Sequence, residues 1–227
     1  MENLKLINGF PFIKYSPVEI PAGEMQQRSF EFLTQMNKRR SVRAFRDSPV
    51  PRKVIENIIY TASTAPSGAH KQPWTFCVVC NKELQKQIRD EAEKEEFQSY
   101  NGRMPEEWKT DLLPLQTDWK KEFLETAPYL VVVFKKSYEF KGGKKTNTYY
   151  ATESCGLACG FLLTAIHNAG LVALTHTPSP MNFLGKILNR PVNEKAFLVI
   201  PVGYAADDCL VPDIKRKPLN EVCTFYE

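Results

Sequence analysis

Two short segments that are almost wholly apolar constrain the fold of this chain most, "YLVVVF" at residues 129–134 and "FLVIPVGY" at residues 197–204. Apolar runs of this length are typical of buried β-strands and are too short to cross a bilayer. Two helical segments, residues 26–38 and 50–64, precede the first predicted strand at residues 74–79, and no G-x-G-x-x-G motif follows a strand. A doubly wound nucleotide-binding fold is therefore not favoured, and the sequence predicts an α+β sandwich with helices around one sheet.

Helical periodicity and turn residues place the other elements. Leu84, Ile88 and Ala92 share one face of a helix predicted from residue 82 to about residue 100, and a long apolar helix covers about 150–169. Shorter segments continue the alternation: a polar turn rich in Lys and Gly, a strand in "LVALT" and a helix in "MNFLGKILN". Since no repeat and no linker interrupts this pattern, residues 1–227 are expected to form one domain.

Two segments are predicted to depart from compact packing. Beyond residue 92 the apolar stripe ends, and the polar sequence that follows is broken by Gly102 and Pro105 before a helical piece at about 115–125. This pattern predicts a mobile segment at about 93–125. The sequence from about residue 207 has two prolines and little periodicity in its final part, which predicts an extended C-terminal arm lying over a surface.

Composition argues against several classes of partner. The net charge is only +4, no basic run is interleaved with aromatic residues, and no apolar stretch approaches the roughly 18 residues of a membrane span, so neither nucleic acid nor membrane is expected. The first residues lack the pattern of a secretory signal, and all six cysteines are expected to be reduced thiols in the cytoplasm. Cys77 and Cys80 fall on a predicted strand, and His70 and His167 have no partners at ligand spacing, so no metal site is expected.

The strongest local signal is the cluster of positive charge in "RRSVR" at residues 39–43. Arg39, Arg40 and Arg43 can bind a phosphate through paired donors, and the Ser41 hydroxyl can add a further hydrogen bond. The same cations would also stabilise the C-terminal end of a helix through its dipole. Spacing alone favours neither interpretation.

A loop of small residues, "PSGA" at residues 66–69, follows about two dozen residues later. Ser67, Gly68 and Ala69 leave the backbone amides accessible, so a flat ring could lie against them. A tight connection between a helix and the strand that begins at Trp74 would use the same residues, and it explains the loop without a ligand.

Together, "RRSVR", "PSGAHKQPW" and the later "KRKP" resemble the flavin-dependent nitroreductase superfamily over residues from about 35 to 220. The resemblance implies an α+β nitroreductase-like sandwich with a central mixed sheet flanked by helices, a homodimer with exchanged C-terminal arms, and FMN as the cofactor. It also implies which residues hold FMN: Arg39, Arg40, Ser41, Val42, Arg43, Pro66, Ser67, Gly68, Thr175, His176, Thr177 and Arg216. His176 departs from the threonine that close relatives often carry. If only its backbone meets the flavin, this changes nothing, whereas an imidazole that faces the flavin would alter the flavin potential.

Within the superfamily the chain resembles the iodotyrosine deiodinase family, whose members reductively dehalogenate mono- and diiodotyrosine. Glu96 and Tyr100 are four residues apart, so a helix would present them on one face, and Lys121 follows in the next helical piece. The resemblance implies that Glu96 binds the substrate ammonium and that Lys121 and Tyr100 bind its carboxylate. It also implies that the mobile segment at about 93–125 is a lid that closes over the substrate. It further implies that the Ala69 N–H meets the phenolate oxygen and that the Thr177 hydroxyl meets flavin N5, which favours single-electron steps over hydride transfer.

Two alternatives stay open at the level of sequence. A general NAD(P)H-dependent nitroreductase would need an open site without a clamp for a zwitterion, and Glu, Tyr and Lys are common on solvated helices. A flavin-binding protein without turnover is the second alternative. The electron source is also open, either NADPH directly or a partner reductase, because no nicotinamide-binding motif is present. Animal members begin with a membrane anchor that is not seen here, which favours a bacterial, cytoplasmic member or a chain trimmed of its anchor.

Overall fold

The computed structural model describes residues 4–227 and divides the chain into two compact units, of which the first ends at Lys38 and the second spans Arg39–Glu227. In the first unit two strands form an antiparallel hairpin, and a helix follows whose side chains are exposed or half-buried. These elements are β1 (Lys5–Ile7), β2 (Phe10–Phe12) and α1 (Ala22–Asn37). The expectation of one domain over residues 1–227 stays a prediction.

The second unit alternates strands and helices. In chain order these are β3 (Phe45–Arg46), α2 (Arg52–Ser63), β4 (Trp74–Val79), α3 (Lys82–Gln98), α4 (Glu106–Leu112), α5 (Phe123–Thr126), β5 (Tyr129–Lys136), β6 (Tyr138–Lys141), β7 (Lys144–Asn147), α6 (Ala151–Asn168), β8 (Val172–Ala173), α7 (Asn182–Ile187), β9 (Glu194–Ala205) and α8 (Leu219–Val222). Single turns of 3-10 helix cover Gly68–His70 and Leu113–Leu115, and a π-helical turn covers Ser99–Arg103.

The central sheet has five strands in the order β3-β9-β5-β4, with β8 beside β9. Each of these pairs is antiparallel, with Val131 opposite Ile200 on the neighbouring strand. A parallel bridge joins Ser41 to Ala173, so the sheet as a whole is mixed. The predicted α+β sandwich with a central mixed sheet is confirmed, while the exchange of C-terminal arms stays a prediction.

The apolar run in β5 follows from burial on both faces of the sheet. Leu130, Val132 and Phe134 belong to the core cluster formed with α3, α5 and α7, while Val131 and Val133 belong to the cluster formed with α2 and α6. Successive side chains of a strand point to opposite faces, so a strand covered on both sides needs apolar residues at every position. All five side chains are at most 1% exposed. The helices therefore cover both sides of the sheet.

The helical piece expected at about 115–125 is wrong for most of its length. Only α5 is helical there, and Lys121 lies in the turn that precedes it. Gln116 has a left-handed backbone with φ 46°, and the Asp118 side chain accepts a hydrogen bond from the Lys120 amide at 2.8 Å. Such a local side-chain contact competes with helix formation, which explains why the segment turns instead.

Two further elements differ in extent from their predictions. The polar turn is the tip of a hairpin between β6 and β7, in which Gly142 and Gly143 have φ values of 57° and 77°. Positive φ at both central residues suits the two-residue turns that connect twisted antiparallel strands. The strand expected in "LVALT" is limited to β8, after which His176 still pairs with Val199 of β9 through an isolated bridge.

None of the helices within residues 4–227 is long and apolar enough to cross a membrane. The six cysteines are free thiols, and Cys155 and Cys159 lie buried on α6. Burial raises the pKa of Cys155 to about 11 and that of Cys159 to about 12, so both thiols stay protonated at neutral pH. In the same described part of the chain, no cluster of His, Cys, Asp and Glu has the geometry of a metal site.

Candidate functional site

The residues of "RRSVR" line a cavity of about 270 Å³ together with the C-terminal segment. The Arg216 guanidinium donates to the Arg39 carbonyl at 2.9 Å, and the Arg40 guanidinium donates to the Pro212 carbonyl. We call this space the arginine cavity, and its lining residues are Arg39, Arg40, Ser41, Arg43, Leu115, Pro212, Ile214, Lys215 and Arg216, with no carboxylate among them. Val42 is buried and does not line the cavity, and its amide donates to the Ala173 carbonyl at 3.2 Å.

The arginine cavity concentrates positive charge. Burial lowers the pKa of Arg39, and the neighbouring charges of Arg216 and Arg40 lower it further. A guanidinium keeps its proton at any physiological pH, so this crowding costs free energy that a bound anion would relieve. Cations that only stabilise the end of a helix do not need contacts with residues 212–216. The contacts seen here therefore favour the anion-binding interpretation.

The loop of small residues has an uncommon backbone conformation. Ala69 has φ 47° and ψ 34°, in the left-handed region that non-glycine residues rarely occupy and that is enriched at functional sites. The amides on either side are occupied, because Gly68 donates to Ser154 Oγ at 3.4 Å and His70 donates to the Ser67 carbonyl at 3.0 Å. Among residues 4–227 the Ala69 N–H has no acceptor, so it is available to a ligand.

Contacts within the second unit hold this loop in place. A Cβ at Gly68 would lie 3.0 Å from Tyr150 Cδ2, a tight contact that favours glycine there. Pro66 opens the loop and is exposed, and the Ser67 hydroxyl accepts a hydrogen bond from the Gln72 amide at 2.9 Å. The loop is therefore a fixed surface.

Residues 175–177 alternate between two faces. Thr175 and Thr177 are exposed, whereas His176 between them is only 8% exposed. The His176 backbone exchanges hydrogen bonds of 2.8 and 2.9 Å with Val199, and the imidazole packs edge-on against Phe123 with the ring centroids 5.7 Å apart. The question that the sequence left open is answered: the imidazole faces the core, on the opposite side from the two threonines.

The His176 imidazole is neutral in the folded protein. Burial lowers its pKa to about 3, and the charges of Lys121 and Arg43 act in the same direction. Its Nε2 atom has no hydrogen-bond partner within residues 4–227. His176 thus adds polarity to the core without adding charge.

Glu96, Tyr100 and Lys121 come together although Lys121 lies outside a helix, and we call them the clamp residues. Lys121 Nζ is 3.5 Å from Glu96 Oε2 and 5.5 Å from the centre of the Tyr100 ring. The same ammonium donates to the Asp118 carbonyl, and the Tyr100 hydroxyl donates to the Thr117 carbonyl at 3.1 Å. A carboxylate, a phenol and an ammonium are thereby gathered in one place.

Burial sets the electrostatics of the clamp residues. It raises the pKa of Glu96 and of Tyr100 and lowers the pKa of Lys121, while the attraction between Glu96 and Lys121 opposes the shifts of those two groups. The positive charge of Arg43 lowers the pKa of both Tyr100 and Lys121. Because Arg43 and Leu115 also line the arginine cavity, the cavity and the clamp residues adjoin.

Sequence reasoning missed several residues at these two places. Lys215 of the cavity wall lies in the basic run "KRKP", which is a usable signal, whereas Leu115 and Ile214 carried none. Arg89 and Glu93 hold the turn that contains Lys121. Their i, i+4 spacing predicts an ion pair on a helix but not a contact with a turn 28 residues later.

Known proteins resemble this chain in both sequence and structure. The Nitroreductase family profile matches residues 36–204. The chain is 57% identical over 216 residues to an iodotyrosine deiodinase of Haliscomenobacter hydrossis, covering 95% of this chain and 97% of that protein. It is 47% identical over 212 residues to iodotyrosine deiodinase 1 of Homo sapiens, covering 92% of this chain and 73% of that protein.

Solved structures share the fold. An oxidized iodotyrosine deiodinase bound to FMN and 3-iodo-L-tyrosine superimposes with a TM-score of 0.72 and 32% identity, covering 86% of this chain and 98% of that one. A nitroreductase with bound FMN from Bacteroides fragilis shares the fold with a TM-score of 0.65 at 20% identity, covering 87% of this chain and 99% of that one. The chain therefore belongs to the nitroreductase family, within which it is similar to the iodotyrosine deiodinases.

Proposed function

We infer that this protein is an FMN-dependent iodotyrosine deiodinase, which removes iodide reductively from mono- and diiodotyrosine and yields tyrosine. The observation that carries this inference is the cluster of clamp residues beside the arginine cavity, because recognition of an amino-acid zwitterion needs both an anion and a cation. An open nitroreductase site needs no such cluster. The similarity to proteins named iodotyrosine deiodinase supports the same conclusion.

The arginine cavity fits the phosphate group of FMN. Its guanidinium groups and the Ser41 hydroxyl are donors, and no carboxylate of the lining competes for them. The residues that would flank the remainder of the cofactor are Val42, Pro66, Ser67, Gly68, Thr175, His176 and Thr177, with His176 contributing its backbone because its imidazole packs against Phe123. FMN, when bound, supplies the electrons for cleavage of the carbon–iodine bond.

The clamp residues bind the amino-acid end of the substrate. Glu96 takes the substrate ammonium, while Lys121 and Tyr100 take the carboxylate. Glu96 and Lys121 are 14% and 4% exposed and pair with each other, so an incoming zwitterion replaces one internal ion pair by two new ones. A ligand that lacks either charge leaves a buried partner unmatched, which is costly in a poorly solvated place.

The reaction adds two electrons and one proton to an iodoarene, breaks the carbon–iodine bond and yields iodide and an aryl C–H bond. We propose that the Ala69 N–H holds the phenolate oxygen of the substrate, since this amide has no acceptor among residues 4–227. A hydrogen bond to an ionised oxygen is stronger than one to a phenol, so the more acidic iodophenols bind better than tyrosine. The Thr177 hydroxyl serves as the hydrogen-bond donor to flavin N5.

We also propose that the protein is a cytoplasmic homodimer that takes electrons from NADPH or a partner reductase. Many large apolar side chains are exposed, which is unusual on a monomer of this size. They include Phe30, Phe32 and Leu33 on α1, Leu157 and Phe161 on α6, and Leu210, Leu219, Phe225 and Tyr226 in the C-terminal segment. Packing against a second copy, with exchange of the arms from about residue 207, would remove these surfaces from water.

Anaerobic reoxidation of the reduced holoenzyme tests the proposed function. The purified protein with FMN is reduced photochemically and mixed with diiodotyrosine in the absence of oxygen. We expect the absorbance of oxidised flavin to return while iodide accumulates in proportion and diiodotyrosine is converted to monoiodotyrosine, because each reduced flavin supplies the electrons for one carbon–iodine bond. A protein that is reoxidised by a nitroarene but not by diiodotyrosine is a general nitroreductase, and one that is reoxidised by neither is a flavin-binding protein without turnover.

A further inference from the structure

Glu93 holds the turn that carries Lys121. Its Oε1 atom accepts hydrogen bonds from the Lys121 backbone N–H at 2.7 Å and from Arg89 Nε at 2.9 Å. Arg89 Nη1 in turn lies 3.1 Å from Glu125 Oε2 on α5. A chain of polar contacts therefore connects α3, the Lys121 turn and α5.

This contact lies at the base of the predicted lid. The last buried side chain of α3 is Ala92, and the next buried side chains along the chain are those of Lys121, Phe123 and Leu124. Lys121 lies 28 positions after Glu93. The intervening chain includes α4 and the π-helical turn Ser99–Arg103, both of which lie in the described part of the chain and bury no residue. The Glu93–Lys121 hydrogen bond thus joins the two ends of the predicted lid at the points where the chain enters the core.

The position of Glu93 on α3 links it to the clamp residues. Glu93 and Glu96 are three residues apart and lie on one face of the helix. Glu93 holds the Lys121 backbone, and Glu96 faces the Lys121 ammonium at 3.5 Å. The side chains of Glu93 and Arg89 are 17% and 26% exposed, which limits competition from water for the ionised acceptor.

We propose that Glu93, fixed by Arg89, is a positioning residue of the substrate site. It holds the Lys121 turn so that the Lys121 ammonium stays where the substrate carboxylate binds, while Glu96 and Tyr100 move with the lid. The carboxylate end of the site is then formed before the lid closes, and closure adds the ammonium contact. This inference rests on the proposed function, because that function assigns Lys121 to the substrate carboxylate.

A double-mutant cycle with Glu93→Ala and Lys121→Met tests the proposal, using dissociation constants of the oxidised holoenzyme for 3-iodotyrosine and 2-iodophenol. Glu93→Ala is expected to weaken 3-iodotyrosine about tenfold, the effect of one lost hydrogen bond to a charged group, and 2-iodophenol less than about twofold. In the Lys121→Met background the same change should have no further effect on 3-iodotyrosine, because the ammonium that Glu93 positions is gone.

Two further variants make the cycle specific. Glu93→Gln keeps an oxygen that can accept from the Lys121 N–H, so it should recover most of the lost affinity. Glu91→Ala is the matched control, because the Glu91 carboxylate pairs with Lys94 on the same helix and should leave both ligands bound as in the wild type. If Glu93→Ala does not retain FMN, Arg89→Met carries the same cycle, since it releases Glu93 without removing its oxygens, and about threefold weaker binding is then expected.

If Glu93→Ala weakened the binding of both ligands equally, the positioning role would be overturned. The same conclusion would follow if Glu93→Ala weakened 3-iodotyrosine as much in the Lys121→Met background as in the wild type. A Glu93→Ala variant that binds 3-iodotyrosine as the wild type does would also overturn it while leaving the deiodinase function intact. A wild-type holoenzyme that releases no iodide from diiodotyrosine would instead defeat the function itself.

Discussion

Arg39 and Arg40 crowd against Arg216 in the arginine cavity, and a bound phosphate would relieve their repulsion. We predict that replacing both Arg39 and Arg40 by alanine lowers FMN affinity at least about a hundredfold, because each lost charge-assisted hydrogen bond contributes roughly 1.5–3 kcal/mol. FMN retained after ultrafiltration measures the effect. Arg46→Ala is the control, since Arg46 pairs with Asp207 at the surface, and full FMN affinity in the double variant would contradict the phosphate assignment.

Glu96 is the group whose removal should separate two ligands. We predict that Glu96→Gln weakens iodotyrosine at least about tenfold and changes iodophenol affinity little, because only iodotyrosine has an ammonium to lose its partner. Flavin fluorescence titration of the holoenzyme measures both constants. Glu95→Gln is the control, because Glu95 pairs with Arg103 at 2.7 Å and not with the clamp residues. An equal loss for both ligands would show that Glu96 is not the ammonium partner.

His176 gives the folded state a pH dependence of known sign. Its pKa is about 6.5 when unfolded and about 3 when folded, because burial disfavours the charged imidazole and Lys121 and Arg43 add to the effect. Between these pH values the unfolded state binds more protons, so the free energy of unfolding falls as the pH falls from about 6.5 towards 3. At pH 4.5 this effect lowers the free energy of unfolding by about 2–3 kcal/mol, and His176→Thr should abolish that decrease. Urea unfolding of the wild type and the variant at pH 7 and pH 4.5 measures the change. An equal decrease in the free energy of unfolding of both proteins would refute the prediction.

Residue types carry some of the site and backbone geometry carries the rest. The arginines could be predicted because a phosphate site needs guanidinium groups, and "KRKP" marks Arg216 even though it lies 177 positions from Arg39. The unoccupied amide of Ala69 depends on a left-handed φ, which an alanine side chain does not predict. The contact of Glu93 with the Lys121 turn uses a backbone N–H, which every non-proline residue possesses, so the sequence could not indicate it.

The segment predicted to form a lid has little packing to hold it. α4 and the π-helical turn bury no residue in the described chain, and exposed contacts such as Arg103–Glu95 contribute little. We predict that limited proteolysis cleaves within residues 93–112 in the ligand-free holoenzyme and that 3-iodotyrosine slows cleavage at least about fivefold by adding charged contacts that offset the ordering entropy. Mass spectrometry of the fragments locates the cut. Equal protection by 2-iodophenol would show that the clamp does not close the lid.

Elements were predictable where one physical requirement dominates. β5 and the later part of β9 are buried on both faces, so their apolar runs identify them, whereas β4 is only partly buried and is marked by its β-branched and aromatic residues. α2, α3 and α6 show helical periodicity because one side of each helix packs in the core. β6 and β7 are largely exposed and carry lysines, so the sequence indicates only the turn between them. The stretch before α5 has apolar residues at helical spacing, but the Asp118 side chain and the left-handed Gln116 decide its conformation.

For the whole molecule, the proposed dimer can be tested on α6. Leu157 and Phe161 are 49% and 40% exposed, and the adjacent Gly156 and Gly160 face open space. We predict that the wild type sediments as a dimer at micromolar concentration, whereas Phe161→Glu shifts it to a monomer that loses FMN, because a carboxylate cannot be buried there without a partner. Val192→Glu, at another exposed apolar residue, is the control. A wild-type monomer that retains FMN would contradict the proposal.

The arginine cavity joins residues from distant parts of the chain, since Arg39 contacts Arg216 and Arg40 contacts Pro212. A ribosome produces residues 39–43 long before residues 212–216, so the nascent chain holds half a site for most of its synthesis. The core clusters around β5 and β9 include neither Arg39 and Arg40 nor residues 212–216, so the core does not depend on a complete cavity. We expect cofactor loading to follow translation, so the cellular supply of FMN sets how many finished chains become active and has little influence on how many of them fold.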